Sequence, residues 1–295
     1  MSAAGPLHPR NRHQGRYAMG PLVEAVPDLR RHLRRAPDGD QTIDFSDARA
    51  VRLLNQALLA VFYGVRGWSL PEGYLCPPIP GRTDYLHYAA DLLAGGGPLP
   101  KGPGVRVLDI GTGANGVYPL IGTAAYGWSF LASDIHRPAL DHLATVLARN
   151  PERPITLRHQ RDPRHLLVGV LEPGERLDLV MTNPPFHASA HEAAAGTARK
   201  WRNLGRDHAG LNFGGQSQEL VCPGGETAFI STLIAESPAW GASVRWFTSL
   251  VAGKAHLPAL DQALYRVRPT AVRVIPMRQG AKPSRILAWT FQPPA

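Results

Sequence analysis

Apolar residues recur at Val51, Leu54, Leu58 and Val61, the spacing of one helical face, and Ser46 just ahead of them can serve as an N-cap. The pattern predicts a helix from Ser46 to Val61. A second helix is predicted from Asp84 to Leu93, ended by the Gly95-Gly96-Gly97-Pro98 linker. Between the two, residues 70–83 (LPEGYLCPPIPGRT) hold too many prolines for regular structure, and irregular backbone is expected. Upstream, Pro6, Pro9, Pro21, Pro27 and Pro37 break residues 1–40 into an arm with one short helix near 21–35.

Beyond the glycine linker the period changes. Short apolar runs at Val105–Ile110, Ser129–Ser133, Ile155–His159, Leu177–Thr182, Val244–Leu250, Ala271–Met277 and Arg285–Phe291 read as strands. Helices are predicted near 137–149, 226–236 and 257–266. Strands alternating with helices imply an α/β fold with a doubly wound parallel sheet. The loop Arg278–Ser284 is too short for a helical crossover, so the last two strands are predicted to be antiparallel. We place a domain boundary in the linker, giving a mainly helical N-terminal extension (1–97) and a sheet domain (98–295).

Composition narrows the setting. Cys76 and Cys222 are the only cysteines, which gives neither a disulfide framework nor a zinc-site spacing and fits a reduced, cytoplasmic compartment. No apolar run approaches the roughly 18 residues of a membrane span, and the first residues, MSAAGPLHPRNRHQGR, lack the apolar stretch of a secretory signal. The net charge of +9 favours a polyanionic partner. Its placement points the same way. Residues 1–35 carry Arg10, Arg12, Arg16, Arg30, Arg31, Arg34 and Arg35 against Glu24 and Asp28, and Arg199, Lys200, Arg202 and Arg206 surround Trp201.

Two stretches carry chemistry. The first, VLDIGTGANG (107–116), places Asp109 at a strand end, Gly111 and Gly113 in the turn and Gly116 after it. Such glycines let a ligand approach the backbone closely, and Asp134, at the end of the next strand, is where an acid accepts ribose hydroxyls. These features fit NAD as well as S-adenosylmethionine. The second stretch separates them. The fourth strand ends in Asn183-Pro184-Pro185-Phe186, at the edge of the sheet's ligand crevice. The Asn183 side-chain oxygen and the Pro184 carbonyl are two acceptors for an amino group, and together they turn its lone pair towards a methyl donor. Pro184 and Pro185 stiffen the backbone, and Phe186 offers a face for an unstacked base. Hydride transfer has no use for this tetrapeptide, whereas amino methylation does.

These motifs resemble those of the bacterial 23S rRNA adenine-N6 methyltransferases that modify adenine 1618 (the RlmF type), which have a eukaryotic relative acting on U6 snRNA and messenger hairpins. The resembling blocks span nearly the whole chain: LHPRNRH (7–13), LCPPIPGRTDYLH (75–87), LDIGTGANGVYPLIG (108–122), NPPFH (183–187), RKWRNLG (199–205), LNFGGQSQELVCPGGE (211–226), WFTSLV (246–251) and RILAWTF (285–291). The resemblance implies a class I methyltransferase (Rossmann-like) fold behind an RNA-binding module, with S-adenosyl-L-methionine as methyl donor. It implies that Asn183, Pro184, Pro185 and Phe186 hold the target adenine, and that Asp109, Gly111 and Asp134 hold the cofactor, to which the reading of the glycine turn adds Gly113. Arg82 matches a position that reaches the cofactor's carboxylate. Many relatives carry glutamate where this chain has Asp134. RNA contacts are expected from Arg10, Arg12, Arg16, Arg199, Lys200 and Arg202, with 23S rRNA or a large-subunit assembly intermediate as partner.

The remaining candidates are weaker. His187, His191 and Glu192 lie in the order H-x-x-x-H-E, which leaves no water-activating glutamate between the histidines, so no metal is expected. Glu226 reads as a helix N-terminal residue. The stretch 187–223 has no apolar period and is expected to cover the target base. Two rivals share the fold: a protein glutamine N5-methyltransferase, and a non-catalytic RNA-binding or ribosome assembly protein.

Overall fold

In the computed structural model, which describes residues 7–185, 222–279 and 282–293, a seven-stranded sheet has the order β5-β4-β3-β6-β7-β9-β8. Its strands are β3 (Arg106–Ile110), β4 (Ser129–Asp134), β5 (Ile155–His159), β6 (Leu177–Thr182), β7 (Val244–Val251), β8 (Ala271–Gln279) and β9 (Lys282–Thr290). The first five run parallel, while β9 runs antiparallel to both β7 and β8, as the short connection requires. Pairing of β8 with β9 continues to Gln279 opposite Lys282, so the hairpin is tighter than the loop read from the sequence.

Alternation along the strands builds two cores. Val107, Leu179 and Met181 face one, and Leu108, Ile110 and Val180 face the other. The second core is covered by α6 (Gly225–Glu236) and α7 (Leu257–Val267). The first is covered by α2 (Ala48–Tyr63), α3 (Ile79–Ala94), α4 (Val117–Tyr126) and α5 (Arg137–Leu147). Helix α4 is buried on nearly every side, so it carries no amphipathic signature, and the periodicity of the sequence does not reveal it.

Three local readings are corrected. Helix α3 begins at Ile79, inside the segment expected to be irregular, because Pro80 sits in its first turn, where no N–H is needed. Asp47 rather than Ser46 caps α2, its carboxylate accepting the Arg49 and Ala50 N–H groups. The single helix near 21–35 is instead α1 (Met19–Ala25), a 3-10 turn (Pro27–His32) broken off at Pro27, and a small hairpin pairing β1 (Leu33–Arg35) with β2 (Gln41–Ile43).

The extension does not stand apart from the sheet. The first core runs without interruption from Met19 through α3 to Ala288, and the Tyr85 hydroxyl meets that of Thr248 on β7 at 2.8 Å. The LHPRNRH block is a polar lock onto α3. The fully buried Asp84 carboxylate accepts the His8 N–H (3.0 Å) and the Asn11 amide, while His13 meets the Tyr63 hydroxyl at 2.7 Å. Burial pushes the Asp84 pKa up and the His13 pKa down to about 4, so this histidine is neutral at pH 7. Asp84→Ala removes the acceptor from two buried donors. Chemical denaturation should show a loss of about 1–3 kcal/mol, and an unchanged denaturation midpoint would mean that the arm is held elsewhere.

Candidate active site

The strand order changes direction between β3 and β6, and a ligand crevice forms beyond the carboxyl ends of strands at such a point. Ile110 of β3 pairs with Thr182 of β6, so the glycine turn and Asn183 leave the sheet side by side. The Thr182 hydroxyl fixes that register by donating to the Ile110 carbonyl at 2.9 Å. A cleft with an empty volume of about 980 Å³, including its open mouth, lies here. Arg82, Gly111, Gly113, Asp134, Asn183 and Pro185 all line it. Five of the six thus come from the residues singled out along the sequence for cofactor or amine, and Arg82 comes from the resemblance. Asp109 is buried and does not itself line the cleft, although the next residue, Ile110, does.

The turn is held on several sides. The Gly111 and Thr112 N–H groups donate to the Ser133 carbonyl at 2.9 and 3.0 Å. The Trp68 indole, from the N-terminal extension, donates to the Asn115 carbonyl at 2.8 Å. Gly111 has φ +74°, and a Cβ built there meets no protein atom within 4 Å because it points into open space. At Gly116 a Cβ would instead lie 2.4 Å from the Leu143 side chain, so this glycine serves helix packing.

Asp134 spans the turn. One carboxylate oxygen accepts the Gly113 N–H and the other the His136 N–H, both at 2.8 Å. It therefore ties the glycine turn to the residue that precedes α5 while keeping a second lone pair on each oxygen. Burial raises its pKa, against the pull of these two N–H groups. Asp109 is buried, and neither of its oxygens has a hydrogen-bond partner. Burial pushes its pKa to about 7; the Thr112 hydroxyl and Arg82 act in the opposite direction and Asp134 adds to the rise. Arg82 reaches over from α3, its guanidinium 5.6 Å from the Tyr118 ring centre and donating to the Tyr118 hydroxyl at 3.2 Å.

Asn183, directly after β6, lines the cleft from the opposite side of the switch point. Its Oδ1 is buried without a hydrogen-bond partner, as is the Thr112 hydroxyl oxygen across the turn. A buried acceptor left unpaired costs free energy, and such groups mark places built for something that binds. Asp109, Thr112 and Asn183 with the open space before Gly111 fit a cationic, hydrogen-bonding ligand such as S-adenosylmethionine. Its ammonium and sulfonium charges would draw Asp109 back to its ionised form.

Sequence reading did not find every residue of the cleft. Tyr118, Gln160, His165, Leu166 and Phe229 also line it. Gln160 directly follows β5 at its carboxyl end, a position that could have signalled a ligand contact, whereas Phe229 sits on α6 with no local signal. Other candidates lie apart. Arg10 turns inward, pairing with Asp91 at 2.8 Å and donating to the His87 carbonyl and the Tyr126 hydroxyl. Arg12 lies over Phe62, and the exposed Arg16 pairs with Asp38 and Asp40. Glu226 is buried in the first turn of α6 and accepts the Ala252 N–H at 2.6 Å, as a helix N-terminal acid can. Phe186, His187, His191, Glu192, Arg199, Lys200, Trp201, Arg202 and Arg206 lie outside the described residues. Among those described, no group of three or more histidine, cysteine or acidic side chains gathers as a metal would need, and no helix is long and apolar enough to cross a membrane.

Comparison with known proteins places this site in context. A family model described as RNA methyltransferase matches residues 1–293. Ribosomal RNA large subunit methyltransferase F of Pseudomonas paraeruginosa is 50% identical over 298 residues, covering 98% of this chain and 89% of that protein. The protein of the same name from Pseudomonas putida (strain KT2440) is 51% identical over 293 residues, covering 97% and 92%. Among solved structures, the human METTL16 catalytic domain bound to the MAT2A 3'UTR hairpin 1 superposes with a TM-score of 0.82 at 29% identity, covering 97% of this chain and 96% of that one. The complex with hairpin 6 gives 0.81 at 27% identity, covering 97% and 98%.

Proposed function

Because this chain belongs to the RNA methyltransferase family that its residues 1–293 match, we propose that it methylates N6 of one adenine in 23S ribosomal RNA. The observation that carries the reading is the buried, unpartnered Oδ1 of Asn183 beside the glycine turn. It is an acceptor waiting for a donor, where an amino group would meet a methyl group. The relatives named ribosomal RNA large subunit methyltransferase F support ribosomal RNA as the substrate.

S-Adenosylmethionine, when bound, supplies an electrophilic methyl on a cationic sulfur. Arg82 and Asp109 would hold its charged amino-acid end, Gly111 and Gly113 would let it approach the backbone, and Asp134 would accept its ribose hydroxyls. Asn183 Oδ1 and the Pro184 carbonyl accept the two hydrogens of the adenine amino group, which takes the lone pair out of conjugation and aims it at the methyl. Pro184 and Pro185 hold these acceptors in place, and Phe186 stacks on the flipped base. No strong base is required, because the methylated nitrogen is cationic and sheds a proton readily. Positioning and electrostatics carry the rate.

Residues 1–97 serve as the RNA-binding extension and 98–295 as the methyltransferase domain, although the two share a core. Of the basic residues assigned to RNA, Arg10 acts chiefly as a clamp within the arm. Arg12, Arg16, Arg199, Lys200 and Arg202 supply the phosphate contacts, since exposed ion pairs such as that of Arg16 exchange at little cost. The substrate is 23S rRNA or a large-subunit assembly intermediate, met in the cytoplasm. With tritiated methyl donor, label should pass to unmodified large-subunit rRNA. Label found in ribosomal protein instead would favour glutamine methylation.

A further inference from the structure

The wall of the cleft beside Asp134 is an irregular loop, braced from within by the Gln160 side chain, which donates to the Val168 carbonyl at 2.8 Å, and by the His165 N–H, which donates to the Asp162 carbonyl at 3.1 Å. Gln160, His165 and Leu166 line the cleft from it, and the Gln160 N–H donates to the Asp134 carbonyl at 2.9 Å. Two side chains of regular elements also hold the loop: Arg158 of β5 donates to the Val170 carbonyl at 2.6 Å, and Glu236 gathers residues 165–168. Glu236, the last residue of α6, accepts the Leu166, Leu167 and Val168 N–H groups, with shortest distances of 3.1, 2.7 and 3.1 Å, and meets the His165 ring at 3.0 Å. Three successive N–H groups turned to one point form an anion-binding concavity, here filled by a carboxylate of the same chain. The Glu236 side chain is 11% exposed, so water competes weakly for these bonds. Leu166 and Leu167 pack in one core with Leu233 of the same helix, and Phe229, two turns before Glu236, lines the cleft directly.

We propose that Glu236 is a positioning residue for cofactor binding, holding residues 165–168 as the wall against which the adenosine half of S-adenosylmethionine rests. This rests on the methyltransferase reading, which puts the ribose at Asp134 and so its base towards Gln160 and Leu166. Glu236 touches no reacting atom; it acts through the loop.

The test uses the full chain and S-adenosylhomocysteine as probe. Glu236→Ala should weaken calorimetric affinity about tenfold, the scale of losing several charge-assisted hydrogen bonds. Glu236→Gln, which keeps one good acceptor, should fall between Ala and wild type, and it carries the test if the alanine variant does not fold. The KM for S-adenosylmethionine should rise while kcat at saturation stays within about twofold, a split that general loss of structure would not give. Amide exchange at Leu166–Val168 should quicken in both variants. Variants that bind the probe as wild type does overturn the proposal alone, whereas a wild-type protein that does not bind it overturns the methyltransferase reading as well.

Discussion

Asn183→Ala should lower the single-turnover rate of rRNA methylation by about a hundred- to a thousandfold and leave cofactor affinity nearly unchanged. Removing one preorganised contact to the developing transition state costs roughly 2.7–4 kcal/mol. The contact matters most as the adenine nitrogen becomes tetrahedral, so the loss falls on the chemical step rather than on binding. The free protein adds a second signature. Asn183 Oδ1 is buried and unpartnered, so it contributes desolvation cost and no hydrogen bond to the resting fold. Truncating it should leave the thermal midpoint at or above that of wild type, as expected where stability has been traded for function. A variant that methylates at nearly the wild-type rate would remove Asn183 from the mechanism.

Gly111→Leu should abolish binding of S-adenosylmethionine measured by calorimetry while the chain still folds. A Cβ at this position meets no protein atom within 4 Å, so the new side chain extends into the cleft rather than into the core. The φ of +74° adds backbone strain of about 1–2 kcal/mol for a residue with a side chain, small enough for a domain of this size to bear. Gly111→Ala separates the two effects, since it carries the strain with far less bulk and should keep partial affinity. Unchanged affinity in Gly111→Leu would mean that the cofactor lies elsewhere.

Much of this site is legible in the sequence because the chemistry and the backbone constraint fall on the same residues. Glycine lets a ligand approach a turn closely, and Asn183-Pro184-Pro185 supplies two acceptors on a stiffened strand end. Such signals are local, so Gly111, Gly113, Asp134 and Asn183 could be singled out before any fold was known, and the fold brings them to one cleft. The strands from β3 to β9 are legible for a similar reason, since short apolar runs bounded by turns admit few other forms. What escapes is tertiary. Helix α4 shows no polar face because it has none. Trp68 bonds to Asn115 from 47 residues before it and Glu236 to Leu167 from 69 residues after it, distances across which no pattern carries information. The arginines of the arm teach a related point. Net charge says that cations are present, but Arg10 spends its guanidinium on Asp91 and Tyr126, and only the fold tells a clamp from a free charge.

If the chain places a methyl group on an adenine amino nitrogen of ribosomal RNA, nucleoside analysis of the product will reveal it. Unmodified 23S rRNA, alone or in large-subunit particles, is incubated with the protein and labelled S-adenosylmethionine, digested to nucleosides and separated. The label should elute as N6-methyladenosine, at no more than one residue per rRNA molecule. Label on another nucleoside, on a ring nitrogen of adenine or only on protein would contradict the proposed reaction.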